Sequence, residues 1–98
     1  MNQHRLVNNL KFELNEANET VTVKLPWGSQ LLSVENVMGK VTIYYLRYES
    51  NFGTVVEKKI LFARTGHMFA LPVNHRFIGT VVFNAGEYVL HAFDVTED

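Results

Sequence analysis

Four consecutive residues, Arg64-Thr65-Gly66-His67, are of the types from which an anion site can be built. A glycine admits positive φ, and successive amides in such a turn can cradle a phosphate or carboxylate. Thr65 adds a hydroxyl, Arg64 a planar fork of donors, and His67 a ring that gains charge when protonated. Arg47 and Arg76 are further cations for the same ligand, so the set implies a small anionic or nucleotide-like molecule. The turn lacks the GxxxxGK spacing of a P-loop. The same four residues also suit a plain chain reversal in which Arg64 lies along a strand end.

Other chemistries find less support. The chain has no cysteine, which removes disulfides, thiolate metal sites and a thiol nucleophile. His67 and His91 have neither HxH nor HxxxH spacing, so no metal site is assigned. The three serines, Ser29, Ser33 and Ser50, sit in no GxSxG elbow, and Glu13, Glu16 and Glu19 read as solvated strand and turn positions. No catalytic residue and no cofactor is therefore named, and a binding protein is expected rather than an enzyme. His91, between Leu90 and Ala92, reads as a half-buried strand histidine held by hydrogen bonds, and His4 and His75 as surface residues.

The elements that must position these residues are strands, because apolar residues alternate with polar ones almost throughout. Leu10, Phe12 and Leu14 alternate in one strand and Val21, Val23 and Leu25 in the next, joined by the polar cluster Asn15–Glu19. Pro26-Trp27-Gly28-Ser29 ends the second strand. A third runs from Gln30 to about Val37, and Met38-Gly39 makes a tight hairpin into Lys40–Glu49. After a loop over Ser50–Thr54, Val55–Arg64 forms a fifth strand whose Lys58-Lys59 suits an edge or an exposed face. Met68-Phe69-Ala70-Leu71 fits a short strand or one helical turn. Phe77, Val81 and Phe83 alternate in the next strand, with Gly79 at a bend or close approach, and Asn84-Ala85-Gly86 turns the chain into Tyr88–Val95. The pattern predicts an all-β fold, a small antiparallel β-sandwich or partly open barrel of six to eight short strands. All 98 residues form a single domain, with 1–6 and 96–98 expected to fray.

The fourth strand is apolar on both faces: Val41, Ile43 and Tyr45 point one way, Tyr44, Leu46 and Tyr48 the other. A small two-layer domain buries one face of each sheet, so the second face predicts a homo-oligomer interface of Tyr44, Leu46, Tyr48 and Trp27. Trp27, in a turn, either caps the core or is displayed as an anchor. Tyr44, Tyr45 and Tyr48 with Arg47 also fit a base-stacking platform. Nine Lys and Arg against ten Asp and Glu leave a formal charge of −1, which argues against an extended nucleic-acid groove. No apolar run approaches the ~18 residues of a membrane span. Met1–Arg5 leads into no apolar leader segment, so a cytoplasmic protein is expected.

An ordered set of fragments carries a resemblance. Leu32-Ser33-Val34 precedes the aromatic strand; Thr65-Gly66-His67, Phe77-Ile78-Gly79-Thr80-Val81, Gly86 and Val89-Leu90-His91-Ala92-Phe93 follow. Together they resemble a family of small, mostly β, bacteriophage-encoded proteins of uncharacterised function, over roughly residues 10 to 95. Members often carry Trp where this chain has Leu90 and Val where it has Ala92. The resemblance implies phage origin, a shared fold and an infected bacterial cell as the setting; it brings no activity, so no residue inherits a role. Three classes follow: a stoichiometric binder that sequesters a small anionic ligand to counter host defence, an inhibitor docking on a host protein, and a structural or virion accessory protein.

Overall fold

The computed structural model describes residues 4–13, 20–49 and 53–96. Seven strands follow one another: β1 (Arg5–Phe12), β2 (Thr20–Pro26), β3 (Gln30–Val37), β4 (Lys40–Tyr48), β5 (Val55–Arg64), β6 (Arg76–Phe83) and β7 (Tyr88–Asp94). They form two antiparallel sheets, one in the order β1-β4-β3 and one in the order β2-β5-β7-β6. The sheets pack face to face as a sandwich and do not close into a barrel. The expected all-β sandwich is the fold found. Among the described residues no helix is long and apolar enough to cross a membrane.

Period-2 alternation builds the core. Val41, Ile43 and Tyr45 of β4 meet Leu25, Ile60, Phe62, Val81, Leu90 and Ala92 of the other sheet in one apolar cluster. Ile43, Ile60 and Leu90 are fully buried. Gly79 is the close approach between the sheets: a Cβ built on it would lie 3.0 Å from Val34 Cγ1. The β3–β4 hairpin turns through Met38 (φ 52°) and Gly39 (φ 83°), and the β6–β7 hairpin through Asn84, Ala85 and Gly86, all at positive φ.

Several details differ from expectation. β1 begins at Arg5, which pairs with Tyr48, so the anticipated fray does not reach Arg5 and Leu6. At the other end, Thr96 accepts a hydrogen bond from Lys59 N at 2.9 Å. β5 is no edge strand: it lies between β2 and β7, with Lys59 exposed on its outer face. Met68–Leu71 is neither strand nor helical turn; residues 67–75 cross the outer face of the four-stranded sheet without regular structure. Phe69 rests there on Phe93, ring centroids 5.8 Å apart, which a regular element aimed at the core would not allow. A register shift between Phe77 and Gly79 turns Phe77 away from the face shared by Val81 and Phe83. The Asn15–Glu19 connection and residues 50–52 of the expected loop lie outside the described residues.

Candidate functional site

Arg64, the last residue of β5, places its guanidinium carbon 4.4 Å from the centre of the Tyr88 ring. Tyr88 packs edge-on against buried Phe83. Thr65 N donates to Val89 O at 3.2 Å, which extends the ladder by one residue, and His67 N donates to Arg64 O at 3.1 Å. Gly66 makes the reversal possible at φ 84°, with nothing near the place of a Cβ. An anion nest needs consecutive free amides. Two of the three amides over 65–67 are already committed to carbonyls. Thr65 Oγ1 lies 2.7 Å from His91 Nε2, and His91 Nδ1 lies 3.0 Å from Thr80 Oγ1. His91 thus bridges the end of β5 to β6 from its place on β7, the hydrogen-bonded role its strand position suggested. All of Arg64–His67 is exposed.

The three arginines do not converge. Arg76 opens β6 opposite Asp94, whereas Arg64 lies opposite Leu90. Four residues of β7 separate those partners, about 13 Å at strand rise. Arg47 belongs to the other sheet, where its Nη1 donates to Tyr48 O at 3.1 Å. With the Asn8 amide turned to present its oxygen, Arg47 Nε donates to it at 3.1 Å.

Arg76 stands instead at an open depression of about 380 Å³ with Lys58, Asn74, His75, Asp94 and Thr96. Its Nη2 donates to Leu31 O at 2.7 Å and lies 4.0 Å from Asp94 Oδ2. Asp94 Oδ1 accepts from Thr96 N at 2.9 Å. His75 Nδ1 lies 2.7 Å from Pro72 O. A carbonyl accepts only, so Nδ1 carries the hydrogen and Nε2 of the neutral ring is an acceptor that becomes a donor on protonation. Lys58 and Arg76 outweigh the single carboxylate of Asp94. Chain separation hid this group. Lys58 reads as a solvated strand lysine and His75 as a surface residue until the order β5-β7-β6 brings their strands together. Among the described residues no group of three or more His, Asp or Glu is placed to hold a metal ion.

The residues read as an interface lie on the outer face of the three-stranded sheet. Tyr44, Leu46 and Tyr48 are half-buried there, while Tyr45 points into the core. The aromatic stripe is therefore divided between two faces, with Arg47 on the core-facing side opposite Leu6. Trp27 is displayed, 61% exposed, and stacks on Tyr48 with centroids 5.9 Å apart and planes 14° apart. Arg5 covers the same ring, its Cζ 4.1 Å from the centroid. A second apolar surface, which the alternation did not reveal, lies on the other sheet. Phe69 and Phe77 flank Phe93, and Met68 and Val73 of the crossing segment are almost fully exposed.

This architecture is a seven-stranded, two-sheet antiparallel sandwich with a cation-lined depression at one end of its larger sheet. The chain belongs to the family of the domain of unknown function DUF7352, whose model matches residues 9–98. No curated protein and no solved structure matches it.

Proposed function

We propose that this chain is a non-catalytic binding protein that takes a small anionic, nucleotide-like ligand in the depression at Arg76 and works by stoichiometric sequestration. The observation that carries the reading is the meeting of Lys58 from β5, His75 from the crossing segment and Arg76 from β6 around one concavity. Ligand sites are concave and use a few convergent polar groups, and a guanidinium beside an ammonium suits phosphate or carboxylate. Half-buried Tyr44 and Leu46 beside exposed Val7 support a homo-oligomer. The resemblance to phage-encoded proteins supports action inside an infected bacterium, against a host signal.

A thermal-shift panel of inorganic phosphate, nucleoside monophosphates and cyclic dinucleotides tests this. A ligand at about 100 times its dissociation constant adds about 2.7 kcal/mol, a rise on the order of 10 °C for a domain of this size. A rise that disappears in Arg76→Ala and Lys58→Ala is expected. No rise with any anion, together with no retained ligand by native mass spectrometry, overturns the reading. Exposed Met68, Phe69 and Val73 support a second one, in which that surface docks on a host protein.

A further inference from the structure

Edge strands expose unpaired N–H and C=O groups that template pairing with another chain unless they are blunted. Here the edges are β1 and β3 in one sheet, β2 and β6 in the other. β3 and β6 blunt each other. Each carries a register shift, at Leu31/Ser33 and at Phe77/Gly79. Arg76 Nη2 donates across to Leu31 O, and Asn36 Nδ2 donates to Val82 O at 3.1 Å. β2 stops at Pro26 and exposes only Thr20, Thr22 and Lys24. β1 exposes one lysine, Lys11, and carries none of the other devices among its eight residues. It contains no proline or glycine, pairs with β4 without a shift, and exposes Leu6 and Val7 at 41% and 57%.

The ladder also fixes which groups of β1 point outward. Glu49 N donates to His4 O at 2.9 Å, so His4 belongs to a hydrogen-bonded pair. Antiparallel pairing alternates, so Leu6, Asn8, Leu10 and Phe12 bond β4, while Arg5, Val7, Asn9 and Lys11 turn their N–H and C=O away from it.

We infer that β1 pairs antiparallel with β1 of a second copy about a two-fold axis at Asn9. The inference rests on the homo-oligomer reading above and names its surface. Charge selects the register. Centred on Asn8, Arg5 faces Lys11 of the second copy at both ends, and like charges directly opposite destabilise a sheet. Centred on Val7, Arg5 faces uncharged Asn9, so no pair of opposite charges forms between the described residues of the two strands. Centred on Asn9, Arg5, which lies over its own Tyr48, faces Glu13 of the second copy at both ends, where Glu13 already lies 3.4 Å from its own Lys40; exposed Leu6 faces Phe12 and Val7 faces Lys11. Every residue from Arg5 to Glu13 then has a partner. The two three-stranded sheets merge into one of six, with Val7 and Tyr44 of both copies on its outer face.

The absence of native cysteine makes the test direct. Residues in a hydrogen-bonded antiparallel pair have Cα atoms about 5.5 Å apart, inside the disulfide range. Asn9→Cys should therefore cross-link to a dimer under mild oxidation. Val7→Cys, offset by four residues from its own copy, should stay uncross-linked. Asn9→Pro removes an outward N–H and leaves the β4 ladder intact, so its mass by light scattering should fall from dimer to monomer. Arg5→Glu should dissociate the dimer and Arg5→Glu with Glu13→Arg should restore it. A wild-type monomer at ~100 μM overturns the oligomer reading and this inference together. A wild-type dimer that survives Asn9→Pro and Arg5→Glu, without the Asn9→Cys cross-link, overturns the β1 edge alone.

Discussion

Gly28→Ala probes how the turn that displays Trp27 is held. Gly28 sits at φ 82°, and a Cβ there would overlap Tyr48 Cε2 and lie 2.8 Å from Cδ2. The left-handed conformation costs an alanine about 1–2 kcal/mol. The Tyr48 ring must also move, because the obstructing atoms belong to a rigid ring clasped by Trp27 and Arg5. Losing the stack forfeits about 0.5–1.5 kcal/mol, and losing the guanidinium contact about 0.5–1 kcal/mol. The total is about 2–4.5 kcal/mol, a fall in melting temperature of at least about 8 °C. Gly39→Ala is the matched control: Gly39 has φ 83° and nothing within 4 Å of its Cβ, so it carries the backbone cost alone. Urea unfolding followed through Trp27, the single tryptophan, and through far-UV circular dichroism gives both losses. In a Tyr48→Ala background the two glycine substitutions should cost the same. Equal losses in the wild-type background would refute the argument that the ring wedges against Gly28.

Three further outcomes are expected. At the 64–67 turn, Gly66→Ala should cost about 1–2 kcal/mol, Arg64→Ala under ~1 kcal/mol and His67→Ala almost nothing, with ligand-induced shifts unchanged in all three; a selective loss of binding in Arg64→Ala would return the site to that turn. His75→Phe should cost no more than about 1 kcal/mol, the worth of the lost hydrogen bond to Pro72 O, read as a slightly lower urea midpoint. Gly79→Val should cost about 1–3 kcal/mol by forcing β6 away from Val34, read as a lower urea midpoint.

Local rules were legible wherever both ends of a contact lay close in the chain. Met38-Gly39 marked the β3–β4 hairpin and Asn84–Gly86 the β6–β7 hairpin, because positive φ in a short connection leaves the flanking strands no option but to pair. Val55–Arg64 was readable to the residue from its alternation. Strand partnership was not. β1 and β2 are consecutive, and the same alternation would serve a hairpin, yet β1 pairs with β4 and β2 with β5. Alternation tells which side chains share a face and carries no information on which sheet a strand joins. Phe77 failed for a related reason: one extra residue before Gly79 inverts its face, and Ile78, apolar like its neighbours, gives no sign of a bulge. The candidate site suffered most. Its sequence reading gathered cations by type, whereas the fold sorts Arg47, Arg64 and Arg76 to three places and supplies Arg76 with Lys58 and His75 instead.

The two bulges connect fold to function. They occur on β3 and β6, the two edges that face each other across the sandwich, and nowhere else among the described ladders. Bulges bend and twist an edge. Here that brings Val34 against Gly79 and lets Arg76 and Asn36 satisfy carbonyls of the opposite sheet. One flank of the sandwich is thereby pinned by side chains. Arg76 does this with one nitrogen, Nη2, while its guanidinium remains at the depression beside Lys58. The residue that closes this flank is thus also the one proposed to meet the ligand, held at a fixed depth by Leu31. On the opposite flank, among the described residues, Arg5 of β1 reaches Gly28 O in the turn after β2 at 3.3 Å, and no side chain ties the two strands to each other. The proposed association through β1 would therefore leave the Arg76 depression unobstructed in both copies, and each dimer would present two independent ligand sites. Calorimetric titration should then give one ligand per chain; one ligand per two chains would place the ligand across the subunit boundary and remove Arg76 from its role.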